Sequence, residues 1–424
     1  MELPNSLRAL RSPNFRRYYT GQAVSMIGTW LQSVALMWLA YRLTGSTHFT
    51  GLVGFLQSIP HLVLGPFAGV LGDRVNRRKL LMAVLSLLSL QSATLAILAY
   101  TNYITPVLLA TLAFIAGVCN AFETPTRQSI FVQLLDKRED LPNAIALNSM
   151  LMNGTRLIGP AIGGLLIALA GETVCFALNA VSYFAVLYAL KNLVVNPRPQ
   201  RAHTHPLADL AEGWRYAMGL LPVRRMLITL GFVSAFTSPY ATLMPAMSVN
   251  IFGQGAGLVG TFIGCVGLGA FVAAVSLARR QSIRGLGRSI PYSAMLAGLG
   301  SIGFGLSTNI YLSAALMFLT GFGMFLTSAA SNTIIQSIVD EEKRSRVMSY
   351  YTMFFIGSAP FGHYLAGWLA EHVGVRTTFM IDGTVALLTG VIFLANMPTF
   401  RTHLRESYLR RGIIPPDETL GPVK

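Results

Sequence analysis

LLMAVLSLLSLQSATLAILAYTNYITPVLLATLAFIAGVCNAF, residues 80–122, contains no Asp, Glu, Lys or Arg. A helix crosses a bilayer with about 20 apolar residues, so the run holds two crossings, broken near the polar TNYIT. Residues 226–278 and 289–339 are equally free of charge and again have room for two crossings each. Hydrophobic residues are 53% of 424 and charged residues 12%, about half the charged share of a soluble domain. Such a chain cannot cover itself with polar surface. The apolar segments divide into twelve spans: 18–42, 48–71, 80–101, 106–131, 143–170, 173–193, then 225–250, 256–278, 289–307, 310–337, 346–372 and 377–397. The fold class is an all-α polytopic membrane protein of two pseudo-symmetric six-helix bundles: 1–193, a connection 194–224, 225–400, and a tail 401–424.

The net charge of +15 suggests nucleic acid only if the basic residues share one exposed face of a soluble fold. Their positions exclude that. Of the 32 basic residues, all but Arg42, Arg376 and Arg156 fall at one set of alternate connections or the two ends. By the positive-inside rule both termini are cytoplasmic. No short apolar core with a small-residue cleavage site follows the basic start, so the first span is expected to be retained. Cys119, Cys175 and Cys265 lie in apolar stretches without metal or redox spacing. In the long connection, Leu210, Trp214 and Met218 recur at every fourth position, which suits a helix lying on the membrane surface.

The halves repeat one another. Gly159, Gly164 and Gly171 correspond to Gly362, Gly367 and Gly374, and Asp136 to Asp340, about two hundred residues apart. Paired halves around a midplane site are the plan of many secondary carriers.

Two motifs carry mechanism. The connection between spans two and three reads Gly69-Val-Leu-Gly-Asp73-Arg74-Val-Asn-Arg77-Arg78. Gly65, Gly69 and Asp73 are four apart, so small residues share a helix face with a carboxylate. Asp73 can pair with Arg77 or cap a neighbouring helix start, and Arg74 and Arg78 can reach lipid phosphates or partner carboxylates. In span five, Gly154-Thr-Arg156-Leu-Ile-Gly159-Pro160-Ala-Ile-Gly163-Gly164 combines a missing backbone donor with close-packing faces, so this helix can bend and slide. It is expected to meet the glycine-rich eighth span, which carries Gly257, Gly260, Gly264, Gly267 and Gly269.

The first motif resembles the loop signature of the major facilitator superfamily, and the second is similar to the glycine-proline motif of its antiporters. Residues 24–46 and 124–165 are similar to the drug/proton antiporter branch containing enterobactin and macrolide exporters, the transmembrane secretion effector family. The resemblance runs over roughly residues 7–400. It implies alternating access, a loop motif that stabilises the outward-facing state, a small amphipathic organic substrate such as a siderophore or drug, and export across the cell inner membrane. A proton gradient is the implied energy source, with no cofactor. Leu277 and Ala278 stand where the second half should repeat Asp73 and Arg74, so an asymmetric inner gate is expected.

Charges inside the membrane are costly and mark function. Glu123 in span four and Asp382 in span twelve are the proton-coupling candidates. Arg156 is expected to pair with Glu123 or to hold an anionic substrate group. Asp382 is placed at the start of its helix, where a carboxylate is electrostatically comfortable. Relatives often carry an acid where Thr29 precedes Trp30, which removes one expected proton site. Gln22, Trp30, Gln32, Gln57, Tyr240, Asn332 and Gln336 are the cavity candidates, all but Gln57 on the first, seventh or tenth spans that line the cavity in the family. An uptake symporter on the same fold is the alternative, because ion coupling rather than architecture sets the direction of flux. No GxxxxGK, HExxH or CxxC occurs, so the sequence shows no equipment for an ATP-driven engine or metal hydrolase; a non-enzyme, working as a monomer with membrane lipid, protons and substrate as partners, is expected.

Overall fold

The computed structural model describes residues 5–191, 206–280 and 282–414. Sixteen α-helices and no strand occur among the described residues. The first half supplies α1 (Pro13–Thr44), α2 (Thr47–Arg74), α3 (Arg77–Tyr100), α4 (Pro106–Phe131), α5 (Leu141–Ala170) and α6 (Glu172–Lys191). Then follow α7 (Pro206–Gly219), α8 (Leu221–Thr237), α9 (Tyr240–Asn250), α10 (Ala256–Ala278), α11 (Leu286–Leu306), α12 (Ile310–Ile338), α13 (Glu341–Phe355), α14 (Ala359–Val373), α15 (Val375–Ala395) and α16 (Met397–Arg410). Ten spans pass on length and apolarity, with α8 and α9 counted as one. The 28-residue α2 and the pair α13/α14 complete the twelve spans of this polytopic all-α membrane protein.

Local chemistry explains the ends of several helices. The Asn76 side chain accepts from the Lys79 N–H at the start of α3, and the Asn309 side chain accepts from Tyr311 and Leu312 N–H at the start of α12, each filling orphan donors. The α5–α6 and α14–α15 turns pass through Gly171 at φ +79° and Gly374 at φ +87°, where a Cβ would be strained. These two glycines are one of the pairs that the internal repeat aligns.

Backbone packing divides the chain into two compact units. The first holds α1–α6 together with Ala241–Gly267 and His363–His372; the second holds α7, α8, Leu268–Gly362 and the chain from Val373 onward. Inside the first unit, a Cβ on Gly164 would stand 2.7 Å from the Ala256 carbonyl oxygen and 2.7 Å from the Gly260 Cα. A Cβ on Gly367 would stand 2.6 Å from the Thr47 carbonyl oxygen and 2.7 Å from the Gly51 Cα. The repeated glycines thus occupy repeated contacts, α5 on α10 and α14 on α2. The expected meeting of spans five and eight occurs here, extending to Gly267, where a Cβ would lie 3.0 Å from the Leu157 Cα.

The core of the first unit also holds a polar network. Gln32 Nε2 donates to Gln91 Oε1 at 3.1 Å, Ser92 Oγ and Asn179 Nδ2 donate to Gln32 Oε1 at 2.6 and 2.8 Å, and Gln91 Nε2 donates to the Leu112 carbonyl at 3.1 Å. All four side chains are buried. Buried amides require such partners, and together they fix the register of α1, α3 and α6.

In the second unit, Trp214 of α7 lies against the Tyr350 and Phe354 rings at 5.3 and 6.3 Å, and Glu212 pairs with Lys343 and Arg346. The amphipathic helix expected on the membrane surface is therefore docked on α13. Residues beyond 400 do not form a loose tail at once: Phe400, Leu404 and Tyr408 of α16, four apart, are buried in one apolar cluster with Leu286, Ile290 and Met397.

The two arginines on the sparsely basic face have local duties. Arg42 pairs with Glu172, and Arg376 donates to the last carbonyls of α11, Gly305 at 2.7 Å and Leu306. A guanidinium at a helix C-terminus is favourable. Arg78 does likewise, donating to the Lys191 carbonyl at the end of α6.

Two outcomes follow from this packing. Gln32→Leu strips buried donors of their acceptor at about 1–3 kcal/mol each, so the purified protein should melt earlier in detergent while the folded fraction keeps its substrate KM; a raised KM with unchanged melting would put Gln32 at the substrate instead. The hydrogen bond from Lys343 and then the Arg346 charge hold the Glu212 carboxyl below its usual 4.5. A carboxyl lowered in the folded state contributes docking that is complete above its ordinary range and lost as pH falls through the lowered value. Limited proteolysis around α7 should accelerate below about pH 4.5, and Glu212→Gln should remove that pH dependence.

Candidate functional site

A cavity of about 230 Å³ opens inside the first unit, lined by Gln22, Ser25, Met26, Thr29 and Trp30 of α1, Leu85 and Leu88 of α3, Asn120, Glu123, Thr124 and Arg127 of α4, and Tyr183 of α6. Helical periodicity explains the lining. Positions 22, 25, 26, 29 and 30 make one stripe of α1, and 120, 123, 124 and 127 make one stripe of α4. Gln32, two residues past Trp30, points away from that stripe and into the α3–α6 network instead.

The chemistry centres on an ion pair. Arg127 Nε donates to Glu123 Oε1 at 2.7 Å, with side chains 14% and 12% exposed, so both charges are largely out of water. Glu123 also accepts from the Thr124 hydroxyl at 3.2 Å. Tyr18 of α1 and His61 of α2 lie within electrostatic reach of the carboxylate. Tyr183 hydrogen-bonds with Thr29 and Asn179, which joins the cavity wall to the polar network behind it.

This corrects two expectations. The partner of Glu123 is Arg127, four residues on along the same helix, and not Arg156; and Arg127, counted with the basic residues at the inner membrane surface, turns inward to serve it. Arg156 lies on α5 with its backbone carbonyl beneath Gly267, and its Nε is buried without a hydrogen-bond partner among the described residues. Asp382 is likewise not at a helix start. It is the eighth residue of α15, 3% exposed, beside the close approach of Gly383 to Gly298 on α11.

The remaining candidates are distributed. Gln22 and Trp30 line the cavity, and Trp30 also rests on Gly159, where a Cβ would meet its side chain. The corresponding Gly362 rests on Ala235 of α8. Gln57 of α2 lies over Gly117 of α4, with its backbone carbonyl at the contact. Tyr240 is buried at the start of α9. Gln336 donates to Asn332 on α12, and Asn332 in turn meets the Tyr351 hydroxyl. Gly154 and Gly65 have open space around their would-be Cβ atoms, and Gly163 packs on Leu31. Pro160 is buried against Gly260. Gly69, Asp73 and Arg74 form the last turns of α2; their side chains, and with them the Asp73 latch, lie outside the described residues. Asn120, Thr124, Arg127 and Tyr183 had not been singled out from sequence. For the first three the signal was present, as polar residues at three- and four-residue spacing in an otherwise apolar span.

Comparison with known proteins agrees with this architecture. The staphyloferrin A transporter of Staphylococcus aureus (strain NCTC 8325 / PS 47) is 26% identical over 398 residues, covering 92% of this chain and 98% of that protein. The enterobactin exporter EntS of Escherichia coli (strain K12) is 25% identical over 398 residues, covering 93% and 94%. Among solved structures, a POT family transporter in complex with 5-aminolevulinic acid superposes with a TM-score of 0.72 at 14% identity, covering 92% of this chain and 97% of that one. A bacterial homologue of the human lysosomal transporter Spinster gives 0.68 at 13%, covering 95% and 98%; at such identities these two likenesses speak for the fold alone. The family model described as transmembrane secretion effector matches residues 5–410, and the chain belongs to that family of major facilitator transporters.

Proposed function

We propose that this transporter exports a small amphipathic organic molecule, of siderophore or similar drug-like build, across the cytoplasmic membrane by proton antiport and alternating access. The observation that carries the reading is the Glu123–Arg127 pair in the wall of a cavity that also presents Trp30, Tyr183, Gln22 and Asn120. Aromatic faces beside amides and a guanidinium suit a polar aromatic solute. The named substrates of the relatives, staphyloferrin A and enterobactin, support a siderophore.

The pair also offers a route to coupling. While Glu123 is ionised it satisfies Arg127. When Glu123 takes a proton, the guanidinium is freed for an anionic substrate group, so proton and substrate compete through one residue pair. A buried carboxyl in α15, Asp382, is the second coupling candidate, because charge in a span is retained only where something uses it. In this reading the two six-helix halves are the moving bodies and the α5/α10 glycine contacts are a sliding seam. The Asp73 loop latches the outward-facing state. Both termini are cytoplasmic, the working unit is a monomer, and the proton gradient supplies the energy without a cofactor.

Two measurements test the reading. In proteoliposomes with an imposed pH gradient, Glu123→Gln should abolish pH-driven exchange, and it should cost about 3–5 kcal/mol of stability by leaving Arg127 unpaired. Adding Arg127→Gln should restore the stability and leave exchange lost. Retained exchange in the double variant would remove the pair from coupling. In cells lacking the protein, an iron-chelating metabolite should vanish from the medium and accumulate inside under iron starvation. Unchanged secretion would turn attention to dyes and antibiotics as substrates.

A further inference from the structure

In the cavity wall of the first unit, Arg127 donates to Glu123 at 2.7 Å and the Thr124 hydroxyl donates to the same carboxylate at 3.2 Å. Two amides in that wall are differently placed. Gln22 of α1 lines the cavity and is 8% exposed, and half-buried Asn120 of α4 lines it too. Neither side chain has a hydrogen-bond partner among the described residues. Gln32 of the same α1 shows the contrast, its amide filled from α3 and α6. An amide withdrawn from bulk water requires a donor and an acceptor opposite it. A solute that enters between Gln22 and Asn120 displaces water and must match both kinds of group.

Volume and charge narrow the occupant further. About 230 Å³ lies below the roughly 300–1,000 Å³ that encloses a drug-sized ligand. Leu85 and Leu88 of α3 and Tyr183 of α6 form part of the wall, so the space lies within the first bundle and admits one arm of a larger molecule. A carboxylate on that arm would meet the charge of Glu123, and an ammonium that of Arg127, while a neutral arm leaves the pair intact. Trp30 and Tyr183 offer ring faces. A carboxamide carries a carbonyl acceptor beside N–H donors, the counterpart of a glutamine or asparagine amide, whereas a carboxylate only accepts and an ammonium only donates.

We propose that Gln22 and Asn120 form a subsite for one neutral, carboxamide-bearing aromatic arm of the transported molecule, the rest of which stays outside this cavity. The inference rests on the reading of the cavity as the substrate site, and it adds which group is recognised and by which residues. Gln22 and Asn120 set specificity, and a site built to pair an amide discriminates against the analogue that lacks it.

The test is fragment binding to the full purified chain in detergent at neutral pH, with Kd read by ligand-observed NMR. The probes are benzamide, its near-isostere acetophenone, in which a methyl replaces the amide nitrogen, and benzoate. Comparison with the Gln22→Leu/Asn120→Leu variant cancels partition of the fragments into the micelle. Wild type should bind benzamide about tenfold more tightly than acetophenone. The double variant should lose that factor for benzamide and hold or improve acetophenone. Where it melts early, Asn120→Leu alone should narrow the preference to about threefold. The same preference in wild type and folded leucine variants would overturn the proposal, and so would equal weakening of both fragments, which marks a structural effect. Benzoate that bound more tightly than benzamide at neutral pH would assign the arm to Arg127 and overturn it as well. No step uses transport or a pH gradient, so a failed export assay and a failed fragment preference are separate results.

Discussion

Hydrocarbon offers no partner to a charge, so each ionised group in a span must be satisfied by the protein or be kept for a use. The Glu123–Arg127 pair is where this constraint is met most fully. Two charges four residues apart on α4 neutralise each other at 2.7 Å, and Pro125 between them withholds one backbone donor from the same stretch. The pair can sit in a cavity wall because α1 presents its own polar stripe opposite, and α1 can do so because Gln32 holds it to α3 and α6 from behind. The cavity depends on that buried amide as much as on the residues that line it.

The second constraint is steric. Without a hydrophobic drive between helices in lipid, close approach relies on small residues. The repeat places Gly164 over Ala256 and Gly260, and Gly367 over Thr47 and Gly51, at nearly identical distances. The same kind of contact is thus used twice. At both places the neighbour is backbone, which cannot give way as a flexible side-chain end can. The Glu371 carboxylate strengthens the second contact by accepting from the Thr47 N–H and hydroxyl, each at 2.9 Å, at the start of α2.

Composition, charge-free runs and glycine spacing made the twelve spans and the repeat legible in the sequence, because those signals are properties of whole segments. Partner choice was less legible. Glu123 was visible as a costly charge, but its partner required deciding whether Arg127 lay at the membrane surface or inside, and four-residue spacing favours the interior partner that basic-residue counting discards. Gln32 read as a cavity residue because it is polar in a span, whereas its angular offset from Gln22 and Trp30 carried the opposite message. Asp382 read as a helix-start carboxylate, whereas it lies in the third turn of a helix that begins at Val375.

Arg127 and Arg156 then divide the electrostatic problem of the first unit between them. The first has a carboxylate as its neighbour and leaves little charge unbalanced. The second keeps a buried Nε without a hydrogen-bond partner among the described residues, on the α5 turn whose backbone carbonyl lies under Gly267 of α10. That turn is one of the close backbone approaches of α5 to α10, together with Pro160 and Gly164 over Gly260. Charge and helix packing are therefore joined at one residue.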